Sequence, residues 1–375
     1  MRLDWDELQQ VRAEGFLAIV PHPDPAVRLF LLNYTARAQY QQAWDRYPVL
    51  LDCRGTVVNE DAEVVAKSFR TFFNVAERPE TRLEQLATLG APEVTPKLDG
   101  SMCLLLPESA GYTLATRGSF TSVQAGRATA IWRERYAASL TEQLDPRLTY
   151  LFELIGPANR IVVRYEREEL ILIGLVVTET GREESYAEVR REARRLGLPH
   201  VEVEEPPEGG WLDWRVLLEE QRPNFEGFVL FWPDHQVRVK VKLAEYVSLH
   251  RIVSGLSEHL VWEYLRDGAD LETLRALVPE ESAPWLEATI ARIARDRAQL
   301  DAEVERVLAL VRASGHDPAD RAGRKAVAEL VLRESGDVRP AVFRALDGKP
   351  YGDILWKLVE PAGVEPIRTV AEESA

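Results

Sequence analysis

The sequence contains no G-x-x-x-x-G-K-[ST] phosphate loop and no G-x-G-x-x-G following a strand, so the two commonest nucleotide cradles are absent. It has two cysteines, Cys53 and Cys103, too few for a disulfide framework, and a reducing compartment is therefore expected. The six histidines (His22, His200, His235, His250, His259, His316) lack metal-ligand spacing, which argues against zinc chemistry. Apolar runs such as Leu170–Val177 are far too short to span a bilayer, and Met1 to Glu14 is charged where a secretory signal would carry an apolar core. These absences lead us to expect a soluble, cytoplasmic protein with no membrane partner. Positive charge is also scarce: Lys and Arg number 46 against 61 Asp and Glu, a net charge of −15. At first sight that argues against a nucleic-acid binder, which usually presents a basic face.

Apolar material is not lacking. With 46% hydrophobic residues among 375, the chain can bury a sizeable core, and its length predicts two or three domains. Short β-branched and apolar runs predict strands at Val27–Tyr34, Cys103–Leu106, Tyr150–Ile155, Arg160–Arg164, Leu170–Val177, Gly227–Phe231 and Gln236–Val241. Helical periodicity falls between them, at Val123–Leu140 and Tyr186–Leu196. Past Leu249 strand signals stop, and helical spacing runs through Ser254–Leu265, Ala283–Ala313, Asp320–Glu334 and Pro340–Val359. The expected organisation is an α+β domain over residues 1–250 and an all-helical C-terminal domain over 251–375, with the boundary near 250–255.

Three segments carry candidate chemistry. In Thr95-Pro96-Lys97-Leu98-Asp99-Gly100-Ser101, a lysine precedes a turn-forming glycine and a short strand. A lysine nucleophile must lose its proton, which neighbouring cations, a metal or burial can promote. By itself K-x-D-G is also what an ordinary surface turn looks like. In Arg238-Val239-Lys240-Val241-Lys242, strand alternation puts Arg238, Lys240 and Lys242 on one face and the valines on the other. Such a row is either a solvated basic edge or a triphosphate clamp that depresses a facing lysine. Glu153 and Glu226 sit in otherwise apolar surroundings, a costly placement unless they are paired or metal-bound. With Asp99 they could hold hydrated Mg²⁺ against phosphate oxygens, or each could simply pair with an arginine or cap a turn.

Taken in order, the segments resemble the covalent nucleotidyltransferases, the superfamily of polynucleotide ligases and mRNA-capping enzymes. Lys97-Leu98-Asp99-Gly100 resembles the nucleophile motif and Thr116-Arg117-Gly118-Ser119 the one after it. Glu153 and Glu226-Gly227 match the two acidic motifs, and Lys240-Val241-Lys242 the closing basic motif. Within that superfamily the chain is most similar to the ATP-dependent single-strand RNA ligases of the T-even phage type, the RNA ligase 1 family. Asp52-Cys53-Arg54-Gly55, Phe72-Phe73-Asn74, Pro157–Val162 and Tyr246–His250 carry that likeness, which runs from about Leu29 to His250.

The resemblance implies an α+β nucleotidyltransferase domain of ATP-grasp-like antiparallel sheets with helices. It implies a reaction in which Lys97 takes AMP from ATP, AMP passes to an RNA 5′-phosphate, and a 3′-hydroxyl displaces it to seal the strand. Lys97 is then the nucleophile, and Lys240 and Lys242 clamp phosphates and lower its pKa. Arg54 and Arg117 lie near the nucleotide, and Asp99 and Gly100 belong to its binding motif. Ile173 and Val229 sandwich the adenine, or are plain core. Asp99, Glu153 and Glu226 organise Mg²⁺, with Mn²⁺ as a substitute, through water. The family has a lysine just before Phe-Phe-Asn where this chain has Arg70-Thr71, leaving Lys67 and Arg70 as alternatives for the terminal phosphate. The implied partners are RNA with 5′-phosphate and 3′-OH ends, single-stranded or from a broken tRNA loop, and an end-healing kinase–phosphatase. The helical region would take part in substrate recognition.

Two other readings compete: a capping-type or DNA-joining relative, and a non-catalytic nucleotide- or RNA-binding module. The first usually appends an oligonucleotide-binding barrel where helical spacing is read here. The second would have no need of Lys97, Glu153, Glu226, Lys240 and Lys242 together. The acidic total then limits grip rather than function. It predicts salt-sensitive RNA affinity centred on a local cleft of Arg54, Lys97, Arg117, Arg238, Lys240 and Lys242.

Overall fold

A computed structural model describes residues 1–361 apart from 109–110, 160–161, 207–209, 245, 248–255, 278–282 and 317–319. The chain divides into two compact units, Met1–His250 and Arg251–Ile367. The anticipated boundary at 250–255 lies outside the described residues.

The first unit mixes three four-stranded sheets with helices. Strands β1 (Leu17–Pro21), β2 (Leu29–Tyr34), β3 (Arg54–Asn59) and β4 (Val64–Ala66) form an antiparallel meander. The next two strands, β5 (Phe73–Asn74) and β6 (Glu93–Pro96), become the edges of a separate sheet. Before that sheet is completed, β7 (Ser101–Glu108), β8 (Gly111–Thr116), β9 (Leu148–Ile155) and β10 (Glu169–Val177) form an antiparallel sheet in the order β10-β9-β7-β8. Finally β11 (Gly227–Trp232) and β12 (Val237–Lys242) close the other sheet in the order β5-β12-β11-β6, with β5 parallel to β12.

Apolar alternation sets how these layers stack. Leu31 and Val57 of the meander meet Leu104, Leu151 and Val176 of the β7–β10 sheet in one core. The opposite face of that sheet, with Cys103, Phe152 and Leu172, is covered by the Val123–Trp132 and Tyr186–Leu196 helices. Both helices start on a serine cap, Ser122 and Ser185, whose hydroxyls take the free N–H groups of Ala125 and Glu188. In the β11–β12 sheet, Val239 and Val241 point with Phe228 and Leu230 into a core closed by Leu86, Trp214 and Leu217. That leaves the other face of the sheet for polar side chains.

The expected strands were found in part. Val162–Arg164, expected to be a strand, is none: Val162 and Val163 form a bend whose N–H groups are taken by the Asp99 carboxylate rather than by a neighbouring strand. Residues 160–161 of that expectation lie outside the described residues. The Val123–Leu140 helix is continuous but contains a π-turn at Arg133–Ala137. In the second unit the regular elements among the described residues are helical: Glu258–Asp267, Leu271–Leu277, Ala283–Ala313, Arg321–Glu334, Arg339–Leu346 and Gly352–Leu358. The last two stand where one interrupted run, Pro340–Val359, was read, and Gly348 between them takes φ +70°. No helix of the described residues is long and apolar enough to cross a membrane.

Candidate active site

Residues directly opposite each other in paired strands share a face, so the β6–β11–β12 registers arrange the polar face in rows. One row is Glu93, Phe231 and Arg238, and the next is Thr95, Val229 and Lys240. The third is Gly227 and Lys242, continued to Lys97 by a 2.7 Å hydrogen bond from the Lys97 N–H to the Gly227 carbonyl. Lys97, more than a hundred residues before them in sequence, therefore converges with Lys240 and Lys242 on one surface.

Glu226 precedes that third row and is 2% exposed. Its Oε2 accepts from Lys97 Nζ at 2.8 Å and its Oε1 lies 3.0 Å from Lys242 Nζ, so one carboxylate bridges two lysines. Gly227 has φ +149°, and a Cβ there would sit 2.0 Å from the Val241 carbonyl oxygen. The glycine is thus what lets Glu226 enter between the lysines.

Glu153 comes from the neighbouring sheet, opposite Met102 and Ile171. Its carboxylate makes no hydrogen bond or ion pair among the described residues. Burial, with Glu226 and Asp99 adding to it, outweighs the pull of Lys97 and Arg54 and pushes its pKa up to about 8. Gly100 explains how the two sheets come so close. A Cβ at Gly100 would lie 2.3 Å from the Leu154 carbonyl oxygen and 3.2 Å from Glu153 Cγ.

The lysines are not equivalent. Burial draws the Lys97 ammonium down, but Glu226, Glu153 and Asp99 outweigh it and hold the group above its ordinary value. Lys240 goes the other way: burial, then Arg54, Lys97 and Lys242, lower it to about 7. The expectation that Lys240 and Lys242 depress Lys97 is therefore corrected. The acids nearest Lys97 set its charge, and Lys240 is the lysine the cations depress.

Asp99 was expected at a metal. Instead its Oδ2 accepts from the N–H groups of Val162 and Val163, both at 2.7 Å, and its Oδ1 from the Tyr246 hydroxyl at 2.8 Å. Its own N–H donates to the Tyr165 hydroxyl at 3.0 Å. Asp99 ties the nucleophile turn to two distant segments. Glu226 is likewise committed to lysines, and among the described residues no group of three or more His, Cys, Asp or Glu side chains is placed to hold a metal ion. What remains is Glu153, a carboxylate without a hydrogen-bonding partner among the described residues. That suits a cation bound by one carboxylate together with phosphate oxygens.

Arg54 and Arg117 are brought together at Gly55, where a Cβ would come within 3.1 Å of Arg117 Cα. Burial and then Arg54 lower the Arg117 guanidinium, the signature of two cations facing one space. Val229 lies between Thr95 and Lys240 on the polar face, whereas Ile173 packs against two apolar cores. Lys67 is 1% exposed and sealed against Asp52 at 3.1 Å, while Arg70 is 59% exposed beside the same carboxylate. Of the two alternatives, Arg70 is the one open to solvent. Arg238 was expected in the cationic cleft, but it is buried and ion-paired with Glu183 at 2.7 Å. Sequence reasoning missed Tyr165, whose partner is 66 residues away and left no local signal, and assigned no role to Phe72, whose ring carries the Lys240 ammonium at 5.1 Å.

Comparison with known proteins bears on this arrangement. A family model described as RNA ligase matches residues 52–246. A putative RNA ligase of Thermovibrio ammonificans is 29% identical over 228 residues, covering 59% of this chain and 56% of that protein. An RNA ligase of Rhodothermus phage RM378 is 28% identical over 294 residues, covering 61% of this chain and 65% of that one. The chain thus spans between about half and two thirds of the length of these relatives. In fold it is similar to the solved structure of an archaeal ATP-dependent RNA ligase, with a TM-score of 0.50 at 15% identity over 93% of this chain and 97% of that one.

Proposed function

The chain belongs to the RNA ligase family, and from that premise we propose that it joins RNA 3′-OH and 5′-phosphate ends in an ATP-dependent reaction through an AMP carried on Lys97. The observation that carries this reading is the bridge Lys97–Glu226–Lys242 on a sheet face that also presents Lys240. It supplies a nucleophile, a base in contact with it, and cations for the leaving phosphates.

In the first step Lys97 Nζ gives a proton to Glu226 Oε2 across the 2.8 Å bond, and its lone pair attacks the α-phosphorus of ATP. The N–P bond forms as the bond to the β-phosphate oxygen breaks, and pyrophosphate leaves. Lys240, Lys242 and the solvent-open Arg70 offer positive charge to the departing oxygens. In the second step an oxygen of an RNA 5′-phosphate attacks the AMP phosphorus and Lys97 leaves, taking back a proton. In the third, a 3′-hydroxyl oxygen attacks the RNA 5′-phosphorus, its proton passes to water, and AMP leaves with the bonding pair. Each is an in-line displacement, for which positioning and preorganised charge do most of the work. A divalent cation, Mg²⁺ or Mn²⁺, would be held by Glu153 with phosphate oxygens and water, and would neutralise charge on the transferring phosphate. The second unit is proposed to contribute to RNA recognition, and an end-healing kinase–phosphatase to prepare the ends.

The test is intact mass after incubation with ATP and Mg²⁺. A covalent AMP is expected on the wild type and none on Lys97→Ala. A wild type that binds ATP and forms no adduct overturns the proposal. Circularisation of 5′-phosphorylated single-stranded RNA, set against sealing of a nicked duplex, identifies the substrate class.

A further inference from the structure

Of the β12 cations, Lys242 joins the bridge with Glu226 and Lys240 stands beside it, whereas Arg238 is enclosed by partners of its own. Its Nε pairs with Glu183 Oε2 at 2.7 Å and its guanidinium donates to the Tyr186 hydroxyl at 2.6 Å. The guanidinium carbon lies 4.2 Å from the ring centres of both Phe69 and Phe231, 5.4 Å from that of Tyr186 and 5.8 Å from that of Phe72.

Each partner leads back to the proposed site. The other Glu183 oxygen accepts the Arg70 N–H at 3.1 Å. The Tyr186 hydroxyl also accepts from Thr95 Oγ1 at 3.1 Å, two residues before Lys97. Phe72 lies near both cations, its ring centre 5.8 Å from the Arg238 guanidinium carbon and 5.1 Å from the Lys240 ammonium. A planar guanidinium can stack on several rings and donate two directed hydrogen bonds at once, which an ammonium cannot. Arg238 thereby fixes the 69–72 segment that forms the wall beside Lys240.

We infer that Arg238 is a positioning residue for the adenylation step, acting through Phe72 to hold Lys240 where it meets the ATP phosphates. This rests on the function proposed above. Arg238 has no contact with the reacting atoms. Its effect is confined to the step that uses the triphosphate, and it vanishes when Lys240 is absent.

The test is a double-mutant cycle read in two reactions. Arg238→Lys keeps the charge opposite Glu183 and removes the stacking plane. It is expected to keep the wild-type circular dichroism spectrum and to slow Lys97 adenylation about tenfold to a hundredfold, with joining of pre-adenylated RNA changed less than about threefold. Combined with Lys240→Ala, it is expected to add no loss beyond Lys240→Ala alone. If Arg238→Lys does not fold, Phe72→Leu, which leaves the Arg238–Glu183 pair intact, is carried through the same cycle with the same expectation. Unchanged adenylation in the folded variant, additive losses in the double variant, or equal loss in both reactions overturns the inference. A wild type that takes no AMP overturns the proposed function instead, so the two failures are distinguishable.

Discussion

The two units use the same ionisable residues to different ends. In the second unit, Arg275 reaches Glu287 at 2.6 Å and Glu272 at 2.7 Å, Arg306 reaches Glu303 at 2.7 Å, and Arg344 reaches Asp353 at 2.6 Å, all at the surface. Each pair has water as an alternative partner, so each adds little. In the first unit, Lys97, Lys242 and Lys240 crowd the buried Glu226, with Glu153 of the neighbouring sheet beside them. There Glu153 rises to about 8 and Lys240 falls to about 7. Desolvation, more than the choice of residue, separates a surface pair from a group whose proton is available for chemistry.

The largest expected effect comes from removing the base at the centre of the crowded face. Glu226→Gln leaves Lys97 without its proton acceptor and should slow AMP transfer by about 100-fold or more, measured by quenched-flow mass analysis. If that variant adenylates at the wild-type rate, the contrast between the two units loses its chemical meaning. Gly100→Ala comes next. The added methyl meets the Leu154 carbonyl oxygen and should cost about 1–3 kcal/mol by denaturant unfolding, with loss of adenylation as Glu153 and Lys97 move apart.

A pH dependence should follow from Lys240. It carries its charge below about 7 and loses it above, so the KM for ATP in adenylation should rise as pH climbs from 6 to 8.5. Lys240→Arg, which stays protonated throughout, should flatten that limb. The linkage to stability has the same origin. A folded-state pKa below the unfolded one favours the folded protein as pH rises above about 7, a contribution lost as pH falls through it. Burial raises Glu153, which acts oppositely: its contribution fades as pH rises toward about 8. The smallest effect belongs to the second unit. Arg275→Ala should move Tm by no more than about 2 °C, and a larger shift would show that its surface pairs matter more than their exposure implies.

Much of the site is legible because its residues sit in short runs with strand spacing. Lys240 and Lys242 share a face for the same reason that Val239 and Val241 share the opposite core, and that much needs only a period of two. The reading of Arg238 failed on the same strand. The period put it on the correct face, but nothing local announced Glu183, 55 residues earlier, or the rings that enclose it. Asp99 misled in a similar way. A carboxylate beside a nucleophile motif reads as a metal ligand until Val162, Val163 and Tyr246 are seen to claim its oxygens. β1, β3 and β4 escaped although Pro23-Asp24-Pro25 and Asn59-Glu60-Asp61 mark the turns beside them, because such short strands carry little apolar alternation of their own.

By itself the sequence determined the order of the motifs and the face on which each strand side chain stands. These follow from covalent geometry, which acts over one or two residues. Tertiary structure alone decided which acid meets which base, and so which lysine keeps its proton. Those pairings join residues 16 positions apart in Lys242–Glu226, 55 in Arg238–Glu183 and 129 in Lys97–Glu226, and their energies depend on how much water the fold leaves around them.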